Sequence, residues 1–271
     1  MVGGVRLLGL DVDGTLCDPS KQVTPGVRAA LSRAHEAGLE VAICSGRHPF
    51  NVDALTVDLG LPQTAVCLSG AFAELEGREV YRHALDGALI ARVLDAVEAC
   101  ECYCSLSGSD FNLTAGSIDR ETNAMAPWTR RYKAFDTYDE LRDAARSHEG
   151  EVLKMAIHGQ DDTSYERVRE LLARVEGIQV ARSDTRWVDV TAPGCTKAIG
   201  IEKLASAMGV SLGKVAVVGD DENDVEAIGL VGLGIAMGNA IPEVKAVAKA
   251  TVADNAHDGC AEAIDLAIAH M

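Results

Sequence analysis

"RLLGLDVDGTLCD", Arg6 to Asp18, is apolar as far as Leu10 apart from its leading Arg, and then places two carboxylates, Asp11 and Asp13, close behind. Burying a charge is expensive unless something pairs with it. Acids directly after an apolar strand therefore face either water, at the start of a loop, or a cation. Asp and Gly also mark turns, and "DVDG" alone reads as one. The rest of the chain decides between the two.

Working outward, "VRLLGL" predicts a buried strand. A helix is expected over about Pro25 to Ala37, with Thr24 as N-cap, Pro25 in the first turn and Gly38 as the stop. Its inner stripe is Val27, Leu31 and Ala34. A strand "LEVAIC", a helix near Asn51 to Leu59 closed by Gly60 and Pro62, and a strand "TAVCL" come next. The far end repeats the alternation: strand "KVAVVG", helix Glu222 to Ile228, strand "GLGIAM", helix Ile241 to Ala248, strand "ATVA", helix Asp258 to Ala269. Units of this kind predict an α/β fold, a parallel sheet with helices on both faces. The middle differs, with hairpins from "FAELEGREVYRH" onward, helices near Ala88 to Ala99, Tyr138 to Arg146 and Ser164 to Val175, and strands near "VLKMAIH" and "RWVDV". A second, α+β domain over 84–186 is expected, inserted between the halves 1–83 and 187–271 of the first.

With 271 residues, 48% apolar and 24% charged, the chain has the composition of a globular protein able to bury a sizeable core. A net charge of −16 and only 4% aromatics disfavour a nucleic-acid partner, which needs clustered Lys and Arg and stacking rings. No apolar run approaches the roughly 18 residues of a membrane span, and "MVGGVRLLGLDVDG" meets acids too early for a signal peptide. No membrane partner and a cytoplasmic location are therefore expected. The eight cysteines then read as buried thiols. "CECYC", Cys100 to Cys104, has the wrong spacing for zinc, and strand alternation would put its three sulfurs on one face as core packing. None of the eight has an Arg six positions later, so the C-x5-R phosphate loop of cysteine phosphatases is missing.

In open α/β sheets ligands bind outside the carboxyl ends of the strands. Asp11 and Asp13 follow the first strand, Ser45, Gly46 and Arg47 the second, and Asp220, Asp221, Glu222, Asn223 and Asp224 follow "KVAVVG". So many carboxylates at one sheet edge repel unless a cation joins them. A hard divalent ion suits them, and Mg2+ is favoured because it binds few carboxylates and bridges to substrate phosphate. An EF-hand calcium loop fails, since Val225 stands where Gly is needed and Val231 where Glu is needed. As a solvated helix start, the acids would also be favoured by the helix dipole. Lys197, near the start of a helix whose inner stripe is Ile201, Leu204, Ala205 and Met208, opposes its dipole at a cost of about 0.3–1 kcal/mol unless a negative group lies nearby.

In order along the chain, "DVDGTL" (Asp11–Leu16), "SGR" (Ser45–Arg47), Lys197 after a Gly-containing turn and "GDDEND" (Gly219–Asp224) resemble the four motifs of the haloacid dehalogenase (HAD) superfamily. "GIAMGNA" (Gly234–Ala240) and "ADNAHDG" (Ala253–Gly259) resemble the tail of its Cof-type phosphatases, and the insertion resembles their type II cap. The resemblance implies a Rossmann-like HAD core with an inserted cap that acts as a lid and selects the substrate. It implies Asp11 as nucleophile, forming an aspartyl-phosphate, and Asp13 as general acid and then base. Mg2+ would be held by Asp11, Asp13 through its backbone carbonyl, Asp220 and Asp224. Ser45, Gly46, Arg47, Lys197 and Asn223 are the implied phosphate and substrate ligands. One departure stands out: many Cof-like sequences have Asn-Gly-Ala after the third strand, where this chain has "LSGA" with the shorter Ser69. The expected activity is Mg2+-dependent hydrolysis of a small phosphorylated metabolite such as a sugar phosphate. A phosphomutase acting on sugar phosphates and a non-catalytic phosphate-binding regulator are the alternatives.

Overall fold

The first helix forms where its capping residues predict. Thr24 accepts a hydrogen bond from the backbone N of Val27, Pro25 opens the helix, and Gly38 closes it at φ +78°. The computed structural model describes residues 4–100, 102–116 and 131–271. The elements of the first stretch are β1 (Leu7–Leu10), α1 (Pro25–Ala37), β2 (Glu40–Cys44), α2 (Pro49–Leu59), β3 (Ala65–Cys67), β4 (Phe72–Leu75) and β5 (Arg78–Arg82). The middle of the chain contributes α3 (Gly87–Val97), β6 (Tyr103–Ser107), β7 (Phe111–Ala115), β8 (Arg131–Phe135), α4 (Tyr138–Arg146), β9 (Lys154–His158), α5 (Asp162–Leu172), β10 (Gln179–Asp184) and β11 (Trp187–Thr191). α6 (Lys197–Ala207), β12 (Val215–Gly219), α7 (Val225–Leu230), β13 (Leu233–Ala236), α8 (Pro242–Val247), β14 (Ala250–Thr251) and α9 (Gly259–Ala269) complete it.

These elements fall into two units. Met1–Ser45, Val52–Tyr81 and Thr196–Met271 form the first, and Gly46–Asn51 with Arg82–Cys195 the second. Among the described residues of the first unit, eight strands form one sheet in the order β14-β13-β12-β1-β2-β3-β4-β5. The strands from β14 to β3 run parallel, and β4 is antiparallel to β3. Every residue of β1, β12 and β13 is buried, as expected of parallel strands covered on both faces. α1 buries Val27, Ala30, Leu31 and Ala34 and packs against α9.

In the second unit the described strands form a sheet in the order β10-β11-β9-β6-β7-β8, antiparallel except for β7 and β8. Alternation gives the sheet two faces of different character. Cys104, Leu106, Met155, Ile157, Val188 and Val190 form an apolar set, and α4 packs on β7 and β8 while α3 packs on α4 and α5. The intervening positions carry Tyr103, Ser105, Lys154, His158 and Asp189, all buried. Tyr103, His158 and Trp187 face one another across β6, β9 and β11 and stack as a cross-strand ladder, with the Trp187 ring centroid 5.9 Å from Tyr103 and 4.8 Å from His158. Lys154 Nζ lies 2.8 Å from Asp189 Oδ2 and donates at 2.7 Å to the carbonyl of Gly46.

Three expectations need adjusting. Residues 187–195 do not return to the first unit, because β11 is the antiparallel partner of both β10 and β9, so the chain goes back at Thr196. Gly46–Asn51 also groups with the second unit. The three sulfurs of "CECYC" do not share a strand: Cys100 ends a 3-10 turn, Glu101 lies outside the described residues, and β6 begins only at Tyr103. Cys102 and Cys104 are nonetheless buried, and all eight cysteines are free thiols. Among the described residues no helix is long and apolar enough to cross a membrane.

Candidate active site

The register of β1 against β12 assembles the acids. Leu10 pairs with Val218, the backbone N of Asp11 donates to the carbonyl of Val218 at 3.1 Å, and the next strand end releases Asp220 at the same edge. Lys197 enters as the first residue of α6, whose N-cap is Thr196. Its ammonium donates to Asp11 Oδ1 at 2.6 Å and to Asp224 Oδ1 at 2.7 Å, with the lysine side chain only 2% exposed. These two carboxylates are the negative groups that resolve the conflict between a cation and the helix N-terminus. The turn after β3 lies against this point: a Cβ on Gly70, at φ +94°, would sit 2.0 Å from the carbonyl of Thr196. Glycine is required there.

Asp220 is held differently. Its Oδ1 accepts from Thr15 Oγ1 at 2.9 Å and its Oδ2 from Asn239 Nδ2 at 3.2 Å. Gly14, at φ +85°, lets the β1 loop approach, since a Cβ there would be 2.2 Å from Asp220 Oδ2. Asp224 is buried, and its second oxygen accepts the backbone N–H groups of Asp220 at 3.0 Å and Asp221 at 3.3 Å. That inward pull tightens the start of the expected helix into a 3-10 turn over Glu222–Asp224, capped by Asp221, before α7 begins at Val225.

Oxygens of Asp11, Asp220 and Asp224 lie within 4.8 Å of one another. Burial pushes the Asp11 carboxyl well above the usual carboxylate range, Lys197 pulls it back, and Asp224 and Asp220 add to the rise. Burial likewise pushes Asp220 up to about 6. Lys197 is itself desolvated, yet Asp11 and Asp224 hold it above the usual lysine range and therefore charged. Two buried carboxylates and the half-buried Asp220 face a single ammonium, so ionising all three calls for a further cation. A hard divalent cation fits this all-oxygen donor set.

The structure thus brings Asp11, Lys197, Asp220 and Asp224 together. Asp13 stands outside the cluster, its side chain 44% exposed and paired with Lys21 at 2.9 Å. Ser45 is buried at the end of β2, where its backbone N donates to Val66 O at 2.8 Å. Asn223 is half-buried in the 3-10 turn. Gly46 and Arg47 belong to the second unit. Ser69 is buried in the left-handed region at φ +59°. Thr15, Lys21 and Asn239 were not singled out from the sequence. Thr15 and Asn239 lie inside the quoted stretches "DVDGTL" and "GIAMGNA", which was the available signal.

A parallel α/β sheet that gathers acids and a lysine at its carboxyl edge, with an α+β unit inserted in the chain, has its site where open α/β sheets bind their ligands. The chain belongs to the haloacid dehalogenase-like hydrolases, whose family model matches residues 8–264. It is 27% identical over 272 residues to the pyridoxal phosphate phosphatase YbhA of Escherichia coli (strain K12), covering 96% of this chain and 97% of that protein. Identity to the HMP-PP phosphatase of Cronobacter sakazakii (strain ATCC BAA-894) is 28% over 243 residues, 89% of this chain and 87% of the relative. A haloacid dehalogenase-like hydrolase from Bacteroides thetaiotaomicron shares the fold with a TM-score of 0.82 at 25% identity, over 97% of this chain and 99% of that one.

Proposed function

We propose that this protein is a Mg2+-dependent phosphatase that hydrolyses a small phosphorylated metabolite through a phosphoryl–Asp11 intermediate. The observation that carries this reading is the buried Asp11 carboxylate, 2.6 Å from Lys197 Nζ and within ligand reach of Asp220 and Asp224. Two relatives spanning most of the chain are phosphatases of small phosphorylated compounds, which favours hydrolysis over a phosphomutase that returns the phosphoryl group to a sugar.

Asp11 attacks phosphorus, the bond to the ester oxygen breaks, and Asp13 gives that oxygen a proton. Asp13, now ionised, takes a proton from water, whose oxygen attacks the same phosphorus and releases Asp11. Exposure suits Asp13 to this exchange, because its carboxyl is open to water while Asp11 is buried and held by Lys197. Ser45 and Lys197 bind the phosphoryl oxygens and stabilise charge in the transition state. Gly46, Arg47 and Asn223 contribute to substrate binding. Asp11, Asp220, Asp224 and the backbone carbonyl of Asp13 would hold Mg2+. When bound, the ion supplies the positive charge that keeps Asp11 ionised and offsets the charge of the phosphoryl group. The inserted unit is the source of substrate choice, and the free buried thiols suit a reducing cytoplasm.

The test is release of inorganic phosphate from a panel that includes pyridoxal phosphate and sugar phosphates, with Mg2+, with Ca2+ and with excess chelator. Turnover is expected with Mg2+, little with the larger and more loosely coordinated Ca2+, and none with chelator. Full activity in chelator would refute the metal requirement. Phosphate binding without turnover of any substrate would favour a regulator.

A further inference from the structure

"GIAMGNA" and "ADNAHDG" take no part in the chemistry above, yet each sends one asparagine to the acid loops. Asn239 Nδ2 donates to the carbonyl of Gly14 at 2.9 Å and to Asp220 Oδ2 at 3.2 Å. Its Oδ1 accepts the backbone N–H of Asn255 at 3.1 Å. A backbone amide only donates, so this contact settles which end of the Asn239 side chain is oxygen, and both of its N–H bonds then serve Gly14 and Asp220. Asn255 Nδ2 donates to the carbonyl of Cys17 at 2.9 Å. Two linked asparagines therefore hold the loop after β1 at Gly14 and Cys17, and one of them also grips a carboxylate of the site.

The type of donor separates Asp220 from its neighbours. Asp11 and Asp224 share an ammonium, with which an arriving cation must compete. Asp220 is held by a hydroxyl on one oxygen and an amide on the other. Neutral donors fix the plane of the carboxylate without cancelling its charge, and each oxygen keeps acceptor capacity. Such outer partners orient a ligand before the metal arrives.

Resting on the metal-dependent reading above, we infer that Asn239 is a positioning residue for the metal ligand Asp220, tying it to the loop after β1 at Gly14. The experiment measures Mn2+ binding alone, by electron paramagnetic resonance of the free ion, for wild type, Asn239→Ala and Asn255→Ala. Thermal melts and the Mg2+ dependence of phosphate release accompany it. Asn239→Ala is expected to weaken Mn2+ binding about tenfold or more and to displace the Mg2+ activation curve by the same factor. Its kcat at saturating Mg2+ should stay within about threefold of wild type, since the metal once bound restores the ligand. Asn255→Ala keeps its backbone N–H to Asn239 and loses only the Cys17 bond, so its Mn2+ affinity should remain within about twofold of wild type. If Asn239→Ala does not fold, Asn239→Ser removes the same amide and carries the same expectation. A merely structural Asn239 would lower the melting temperature and leave Mn2+ affinity unchanged, which overturns the inference alone. Equal weakening in Asn255→Ala overturns it too. A wild-type protein that binds neither Mn2+ nor Mg2+ overturns the metal reading and this inference together.

Discussion

Asp11 is costly where it lies, because burial and two further carboxylates all disfavour its charged form. Asn has the same shape without the charge but cannot attack phosphorus. Asp11→Asn should therefore cut phosphate release by more than about a thousandfold, while the metal-free protein melts at the same temperature or higher. A melting temperature lowered by several degrees would contradict this charge balance. That Asp11, Lys197, Asp220 and Asp224 come together was legible in the sequence because each sits at a strand end or helix start, whereas Asp13, read with them, stands outside the cluster. Thr15, Lys21 and Asn239 were not: Thr15 and Asn239 act by hydrogen-bonding a carboxylate that only the β1–β12 register brings near, and Lys21 reaches Asp13 from a turn in the left-handed region.

At the scale of elements, caps and periodicity located α1 to the residue, whereas the start of α7 was displaced because the Asp224 side chain folds back onto its own loop. α2 begins beside a histidine. The buried His48 accepts the backbone N–H of Phe50 at Nδ1, 3.2 Å away, so its Nε2 must donate to the carbonyl of Phe111, also at 3.2 Å. Burial pushes this imidazole down to about 4. Between that value and the ordinary 6.5 the unfolded chain binds the extra proton, so the contribution is full above pH 6.5 and is lost as pH falls toward 4. The loss amounts to up to about 3 kcal/mol. His48→Asn, which can cap without titrating, should flatten the melting temperature against pH across that window. A retained slope would assign it to other groups. In the second sheet, Lys154 and Asp189 are 10% and 3% exposed. Removing one partner strands a buried charge, so Lys154→Met should destabilise by about 3–5 kcal/mol and Lys154→Met with Asp189→Leu by much less. Additive losses in urea denaturation would show that the two charges are not coupled.

For the whole molecule, the net charge of −16 makes the folded state repel itself. Raising salt from about 10 to about 150 mM shortens the screening length from about 30 to about 8 Å and should raise the melting temperature of the metal-free protein. Saturating Mg2+ should stabilise it further, by about 2.7 kcal/mol at a hundredfold excess over Kd, and by clearly less in Asp220→Asn. Equal stabilisation of both would place the ion elsewhere. Alternation of strands and helices revealed the parallel sheet, and its breakdown in the middle revealed the insertion. The insertion's end was not legible, because β11 reads as a strand of either sheet until its pairing with β9 and β10 is known.

The neighbour of β1 on one side is β12, and the lysine that holds Asp11 lies 186 residues further along the chain. At ordinary rates of synthesis, a ribosome makes β1, α1 and β2 about 10–40 s before it makes that partner strand. Through this interval the edge of β1 that β12 will occupy offers unpaired N–H and C=O groups, and the acids at its tip have neither their lysine nor Asp220. The nascent chain is thus a half-sheet waiting for its other half. Chains truncated before β12 should be the aggregation-prone products of this gene, and sequestering the first half of the sheet until residue 219 has emerged is the point at which a chaperone would change the yield of active protein.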